Sequence, residues 1–158
     1  MLARCSEITL RPAAATDDLY LRRIFSLSRP DLALLPPDVR DALIDMQYQA
    51  QRTGYAHSYP AAEHHVLVAD VTDVGVLVLD RSDDAVRVVD ITVDLPHRRR
   101  GVATAALREV IDGAGGRPVR LVVWSGNVAA RALYERLGFT ATGAQTIEGY
   151  VAMERSAE

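Results

Sequence analysis

Residues 95–111 read LPHRRRGVATAALREVI: three arginines, a glycine, and then an unbroken helical pattern. Directly upstream, AVRVVDITV (85–93) is rich in β-branched residues and reads as a strand. Strand, cationic turn, glycine and helix thus follow one another without a gap. The first N–H groups of a helix have no intrahelical partner, and the helix dipole adds about half a positive charge there. A glycine lets a ligand approach the backbone closely, so such a turn can hold an anion. Ala103, Ala105 and Ala106 leave room along the first turn of this helix, and Thr104 could offer a hydroxyl. It is neither a P-loop, which needs Gly-Lys-Ser/Thr, nor the G-x-G-x-x-G dinucleotide turn. Two other readings of the arginines stand beside anion capture: a solvated helix start, and a contact to nucleic acid.

Working outward, ITLRP (8–12) alternates and stops at a proline, which predicts a first strand. TDDLYLRRIFSLS (16–28) predicts a helix with Thr16 or Asp17 as N-cap. After the proline-broken RPDLALLPP (29–37), DVRDALIDMQYQAQR (38–52) predicts a second helix with Val39, Leu43 and Met46 on one face. TGYAHSYPAAE (53–63) reads as a loop by its Gly, Ser and Pro content. HHVLVADV (64–71) and VGVLVLD (74–80) read as strands hinged at Thr72-Asp73, and the turn RSDD (81–84) leads to the strand at 85–93. Their nearly continuous apolar runs suit strands covered on both faces. The helix of about 99–113 follows, then a strand at 118–125 and a helix from Val128 to Leu137 that ends at Gly138 as its C′ glycine. TATGAQTI (140–147) and GYVAMER (149–155) complete the chain as strands. The order βααβββαβαββ predicts an α/β (α+β) fold: a mixed, mostly antiparallel sheet of about seven strands with helices on both faces.

A chain of 158 residues is most simply a single domain, here 1–158. Its formal net charge of −3 opposes binding to a polyanion, so no nucleic-acid partner is expected. Cys5 is the lone cysteine; it excludes an intramolecular disulfide and cannot by itself build a zinc site, so no metal centre is expected. No apolar run approaches the length of a membrane span, and MLARCSEITLRP lacks the apolar stretch of a signal peptide. No membrane partner and a cytoplasmic location are the expectations.

Two motifs together carry a resemblance. Arg98-x-x-Gly101-x-Ala103, preceded by DITVDLP, resembles the acyl-CoA signature of the GNAT N-acetyltransferase superfamily, Q/R-x-x-G-x-G/A at a strand–helix junction. WSGNVAARALYERLGF (124–139) resembles the second landmark of that family, a strand followed by Asn-x-x-Ala-x-x-Leu-Tyr-x-x-x-Gly-Phe. The two occur in the family order, one helix and one strand apart, and the resemblance covers roughly 86–155. Asn127 also suits an N-cap, and Tyr134, seven residues on and about two turns away, falls near the same face.

The resemblance implies acetyl-CoA (coenzyme A) as cofactor, with its pyrophosphate held by the backbone from Arg99 to Thr104. Arg98, Arg99, Arg100, Gly101, Val102, Ala103, Thr104, Asn127 and Tyr134 would then be cofactor residues. Backbone groups near Ile91–Val93 would receive the thioester in a gap where the fourth and fifth strands splay. The implied reaction is direct attack of an amine on the thioester. It needs a base for the amine, a donor for the oxyanion and an acid for the thiolate. Tyr134 is the implied acid. Asp90, a charge inside an otherwise apolar strand, is the candidate base, with a purely structural carboxylate as the other reading. Glu63, His57, His64 and His65 are further candidate bases, whereas His97 reads as a turn residue. Histone-type members carry a glutamate where Arg87 stands here, and the ribosomal-protein acetylases carry one where Val122 stands. The resemblance places the acceptor near MQYQAQRTGYAHSYP (46–60), with Gln47, Gln51, Tyr55, His57 and Tyr59 as candidate substrate residues. The expected function is N-acetyl transfer to a primary amine of a small molecule or peptide; the alternative is a non-catalytic acyl-CoA sensor or scaffold. A homodimer is possible by the same resemblance.

Overall fold

The computed structural model describes residues 7–157; Cys5 lies outside them. The elements follow the expected order: β1 (Ile8–Pro12), α1 (Asp18–Ser26), α2 (Pro37–Ser58), β2 (Glu63–Ala69), β3 (Thr72–Asp80), β4 (Val86–Val93), α3 (Val102–Asp112), β5 (Val119–Trp124), α4 (Val128–Arg136), β6 (Thr140–Ala141) and β7 (Tyr150–Arg155). They form a seven-stranded sheet in the order β1-β2-β3-β4-β5-β7-β6, antiparallel except for the β4–β5 pair.

One sheet face packs on α3 and α4. Leu77, Leu79, Val86 and Val88 meet Val102, Ala106, Leu107 and Val110 there, and Phe139 and Met153 complete this core. The other face turns Val76 and Val78 toward α1 and α2, across a cavity. β3 is therefore covered on both sides, which is why its apolar run does not alternate.

Two details of β4 position the site. Val78 pairs with Asp90 but Leu79 pairs with Val88, so Val89 is an extra, bulged residue. β4 and β5 pair only at Val86↔Val119, Arg87↔Arg120 and Val88↔Leu121. Beyond that point β4 continues to Val93 and β5 to Trp124 without pairing to each other, which leaves a gap between them.

Several local expectations need correction. α2 does not stop at Arg52 but runs through Gly54 to Ser58, and Pro60 lies just beyond its end. Its buried residues are Ile44 and Tyr48, whereas Val39 and Met46 are exposed. The β2–β3 turn is at Asp70-Val71 rather than Thr72-Asp73, and Asp70 takes a left-handed φ of 56°. The expected strand at 140–147 shrinks to two residues. Asp17 holds the N-cap position of α1, as expected, but its side chain makes no capping bond there. Its carboxylate accepts from Ala14 N (2.7 Å) and from both terminal nitrogens of Arg11 (2.9 and 3.0 Å). Arg11 first, then the Ala14 amide, draw its pKa down to about 2.

Candidate active site

The arginine turn forms as a strand end, a 3-10 turn at Leu95–His97 and a left-handed glycine. Arg99 and Gly101 have φ of 61° and 79°, and Gly101 is the N-cap of α3. Left-handed residues in such a turn gather consecutive amides into a concavity. The first intrahelical bond runs from Ala105 N to Gly101 O (3.0 Å), so the amides of Gly101 to Thr104 precede the helical ladder. Asp94, buried at the end of β4, anchors the turn from below. It accepts from Leu95 N (2.9 Å) and from Arg23 of α1 (2.6 Å). Arg98 points back: its Nε donates to Val93 O at 2.9 Å, bracing the turn.

Asp94 N donates to Val74 O on β3. By the two-residue alternation of strand hydrogen bonding, Ile91 and Val93 aim their N–H and C=O groups at the other edge, into the gap toward β5. On the far side of that gap, Asn127 caps α4, its Oδ1 accepting from Ala130 N (3.2 Å). Tyr134 is buried on α4, with its ring 5.8 Å from that of Phe139.

The cavity between α1, α2 and the sheet has a volume of about 790 Å³. Asp90 and Thr92 stand on its sheet wall, with the Thr92 hydroxyl donating to Asp90 Oδ1 at 3.3 Å. Burial pushes the Asp90 pKa up to about 6, against the hydrogen bonds from Thr92 and the Ile91 amide. Tyr55 of α2 and Tyr134 of α4 are both held above the ordinary phenol range, first by burial and then by the charge of Asp90. The carboxyl is therefore within electrostatic reach of both the acceptor cavity and the α4 tyrosine.

Of the expected acceptor residues, Gln51, Tyr55 and Tyr59 line the cavity. Gln47 does not: its Oε1 accepts a hydrogen bond from Arg29. His57 is not part of the lining either and lies exposed on α2. His64 and His65 do line the cavity, whereas Glu63 pairs with Arg81 (3.0 Å) beyond the lining. Burial, with Arg52 and His65 nearby, holds the His64 imidazole below its usual pKa. Tyr48, in the same acceptor stretch, also lines the cavity, as do Asp18, Phe25 and Arg52, which the sequence reading does not single out. The spacing of Tyr48, Arg52, Tyr55 and Tyr59 is helical and could have revealed them, had Gly54 not suggested a loop.

The sequence pattern of the Acetyltransferase (GNAT) family matches residues 21–139. The chain belongs to that family. Members of the GNAT family use acetyl-CoA, and the cradle, the gap and the tyrosine of this acetyltransferase fold suit that cofactor in turn. Solved structures are similar over nearly the whole chain. An acetyltransferase from Thermus thermophilus is 20% identical, with a TM-score of 0.71 over 97% of this chain and 99% of its own. The PaiA N-acetyltransferase from Thermoplasma acidophilum, solved in complex with coenzyme A, is 16% identical, with a TM-score of 0.68 over 94% and 98%. The ribosomal-protein-S18-alanine N-acetyltransferase from Escherichia coli is 21% identical, with a TM-score of 0.66 over 96% of each chain. At these identities the likeness concerns the fold. No curated protein matches the sequence.

Proposed function

We propose that the protein transfers an acetyl group from acetyl-CoA to a primary amine of a small molecule or peptide, by direct attack of the amine on the thioester. The observation that carries this reading is the position of Asp90, on the cavity wall and within electrostatic reach of Tyr134. Acetyl-CoA supplies the acetyl group as an activated thioester. Amides at Gly101–Thr104, with Arg99 and Arg100 beside them, hold the pyrophosphate in this reading. Val93 offers its N–H group to the thioester side of the gap, where a developing oxyanion can be met, while the Ile91 amide serves the Asp90 carboxylate. Arg98 and the Val93 carbonyl serve each other, so Arg98 shapes the cradle.

Asp90, with a pKa near 6, is mostly ionised at neutral pH and can take a proton from an ammonium. Tyr134, held above the usual phenol range, stays protonated and can give its proton to sulfur. Asp90 thus takes one proton from the ammonium, which frees the amine to attack. As the C–N bond forms and the C–S bond breaks, Tyr134 gives its proton to sulfur and the second nitrogen proton returns to the Tyr134 phenolate. The proton on Asp90 then passes to solvent. Release of free thiol from acetyl-CoA, followed across an amine panel and a pH series, tests the reading. Amine-dependent release with a rising limb near pH 6 is expected. Coenzyme A binding with no amine-dependent release would sink it in favour of a non-catalytic acyl-CoA-binding role.

A further inference from the structure

We propose that the acceptor is a monoamine with an uncharged, largely apolar or aromatic body, rather than a polyamine or a free amino acid. This rests on the acetyl-transfer reading and deepens it. The charges on the cavity wall are few. Asp18 is paired with Arg52 at 2.5 Å, and the Tyr48 hydroxyl donates to the same carboxylate at 3.1 Å. Arg52 also lies over the Tyr48 ring, 5.6 Å from its centroid. This pair is self-satisfied and nearly neutral to its surroundings. His64 and His65 complete the basic groups of the lining, and Asp90 is its other carboxylate.

Asp90 has no cationic partner among the described ion pairs, so it can face one ammonium. A second ammonium on the same molecule would find only Asp18, a half-exposed carboxylate whose charge Arg52 already offsets, so it gains little there. A carboxylate next to the amine would face Asp90 itself, and its only strong cation, Arg52, is already held by Asp18. Between the two polar poles the wall is apolar and aromatic: Ile24, Phe25, Tyr48, Tyr55, Val76 and Val78. The Phe25 and Tyr48 rings lie 5.8 Å apart, a ready contact for a flat apolar group. The volume of about 790 Å³ suits a ligand of drug-like size.

The test uses the full chain saturated with coenzyme A, titrated calorimetrically with 2-phenylethylamine, spermidine and phenylalanine, with thiol release from acetyl-CoA measured for the same three. We expect 2-phenylethylamine to bind at least about tenfold more tightly than the other two, and Phe25→Ala to raise its KM about tenfold with kcat nearly kept. Tighter binding of spermidine or phenylalanine, equal binding of all three, or binding of none overturns the inference. Thiol release driven by spermidine would do so while leaving acetyl transfer standing. Binding of 2-phenylethylamine without thiol release from any amine would support the recognition inference and remove the transfer reading instead.

Discussion

Val88 and Asp90 stand two residues apart in one strand, yet they face opposite sides of the sheet. Val88 pairs with Leu79 on the α3 side, and Asp90 pairs with Val78 on the cavity side. The extra residue, Val89, reverses the alternation between them. A regular strand would have put the Asp90 carboxylate into the apolar core beside Val86 and Val88. The bulge delivers it to the acceptor cavity instead.

Replacing Asp90 separates its catalytic role from its structural one. Asp90→Asn should lower kcat by about a hundredfold or more and remove the rising limb near pH 6 from the rate profile. Unchanged kcat and an unchanged limb would return the carboxylate to a structural role.

The same residue makes a stability prediction of definite sign. Its folded pKa, about 6, lies above the ordinary 3.8, so between those values the folded state binds more protons than the unfolded chain. Stability should therefore fall as pH rises through that window and level off above it. The full effect is at most about 3 kcal/mol, reduced by water entering the cavity. Urea unfolding at pH 4, 6 and 8 should show this component in the wild type and its loss in Asp90→Asn. An identical pH dependence in both proteins would contradict it.

Tyr134→Phe keeps the ring packed on Phe139 but removes the proton donor. Coenzyme A affinity should stay within about threefold, and kcat should drop about a hundredfold. Equal losses of binding and kcat would mean that the hydroxyl holds the cofactor rather than protonating sulfur.

Gly75 faces β4 at very close range: a Cβ there would lie 2.4 Å from Thr92 O and 3.2 Å from Val93 Cα. Gly75→Ala should destabilise the protein by about 1–3 kcal/mol, or roughly 3–10 °C in Tm. It should also reduce kcat, because β4 must shift. A thermal melt and a rate measurement check both.

How much of this was legible beforehand depended on the element. The strand–turn–helix at 86–112 was clear because β-branched residues, a left-handed glycine and an amphipathic helix each signal locally. α4 was equally clear from Asn127 at one end and Gly138, with φ of 93°, at the other. The sequence signals an end to α2 at Arg52 because Gly54 and Ser58 disfavour helix intrinsically, whereas Tyr55 packs from this segment against Tyr59 and His64 and tertiary contact prevails. A helix that ends there leaves the alignment of Tyr48, Arg52 and Tyr55 unseen. The bulge at Val89 could not be read at all, since it is set by register against β3. Asp90 stood out only as a charge in an apolar strand. Nor does sequence spacing carry the bond between Arg23 and Asp94, 71 residues apart, which ties α1 to the base of the arginine turn.

In the proposed reading the turn at Arg98–Thr104 holds the pyrophosphate of coenzyme A. Calorimetric titration of coenzyme A into the wild type and Gly101→Glu, with both melts recorded, tests it most directly. Micromolar binding by the wild type is expected. Affinity should fall by at least about a hundredfold when a carboxylate enters the cradle, in a variant destabilised by only about 1–2 kcal/mol from its left-handed φ. A folded Gly101→Glu that binds coenzyme A as the wild type does would contradict it.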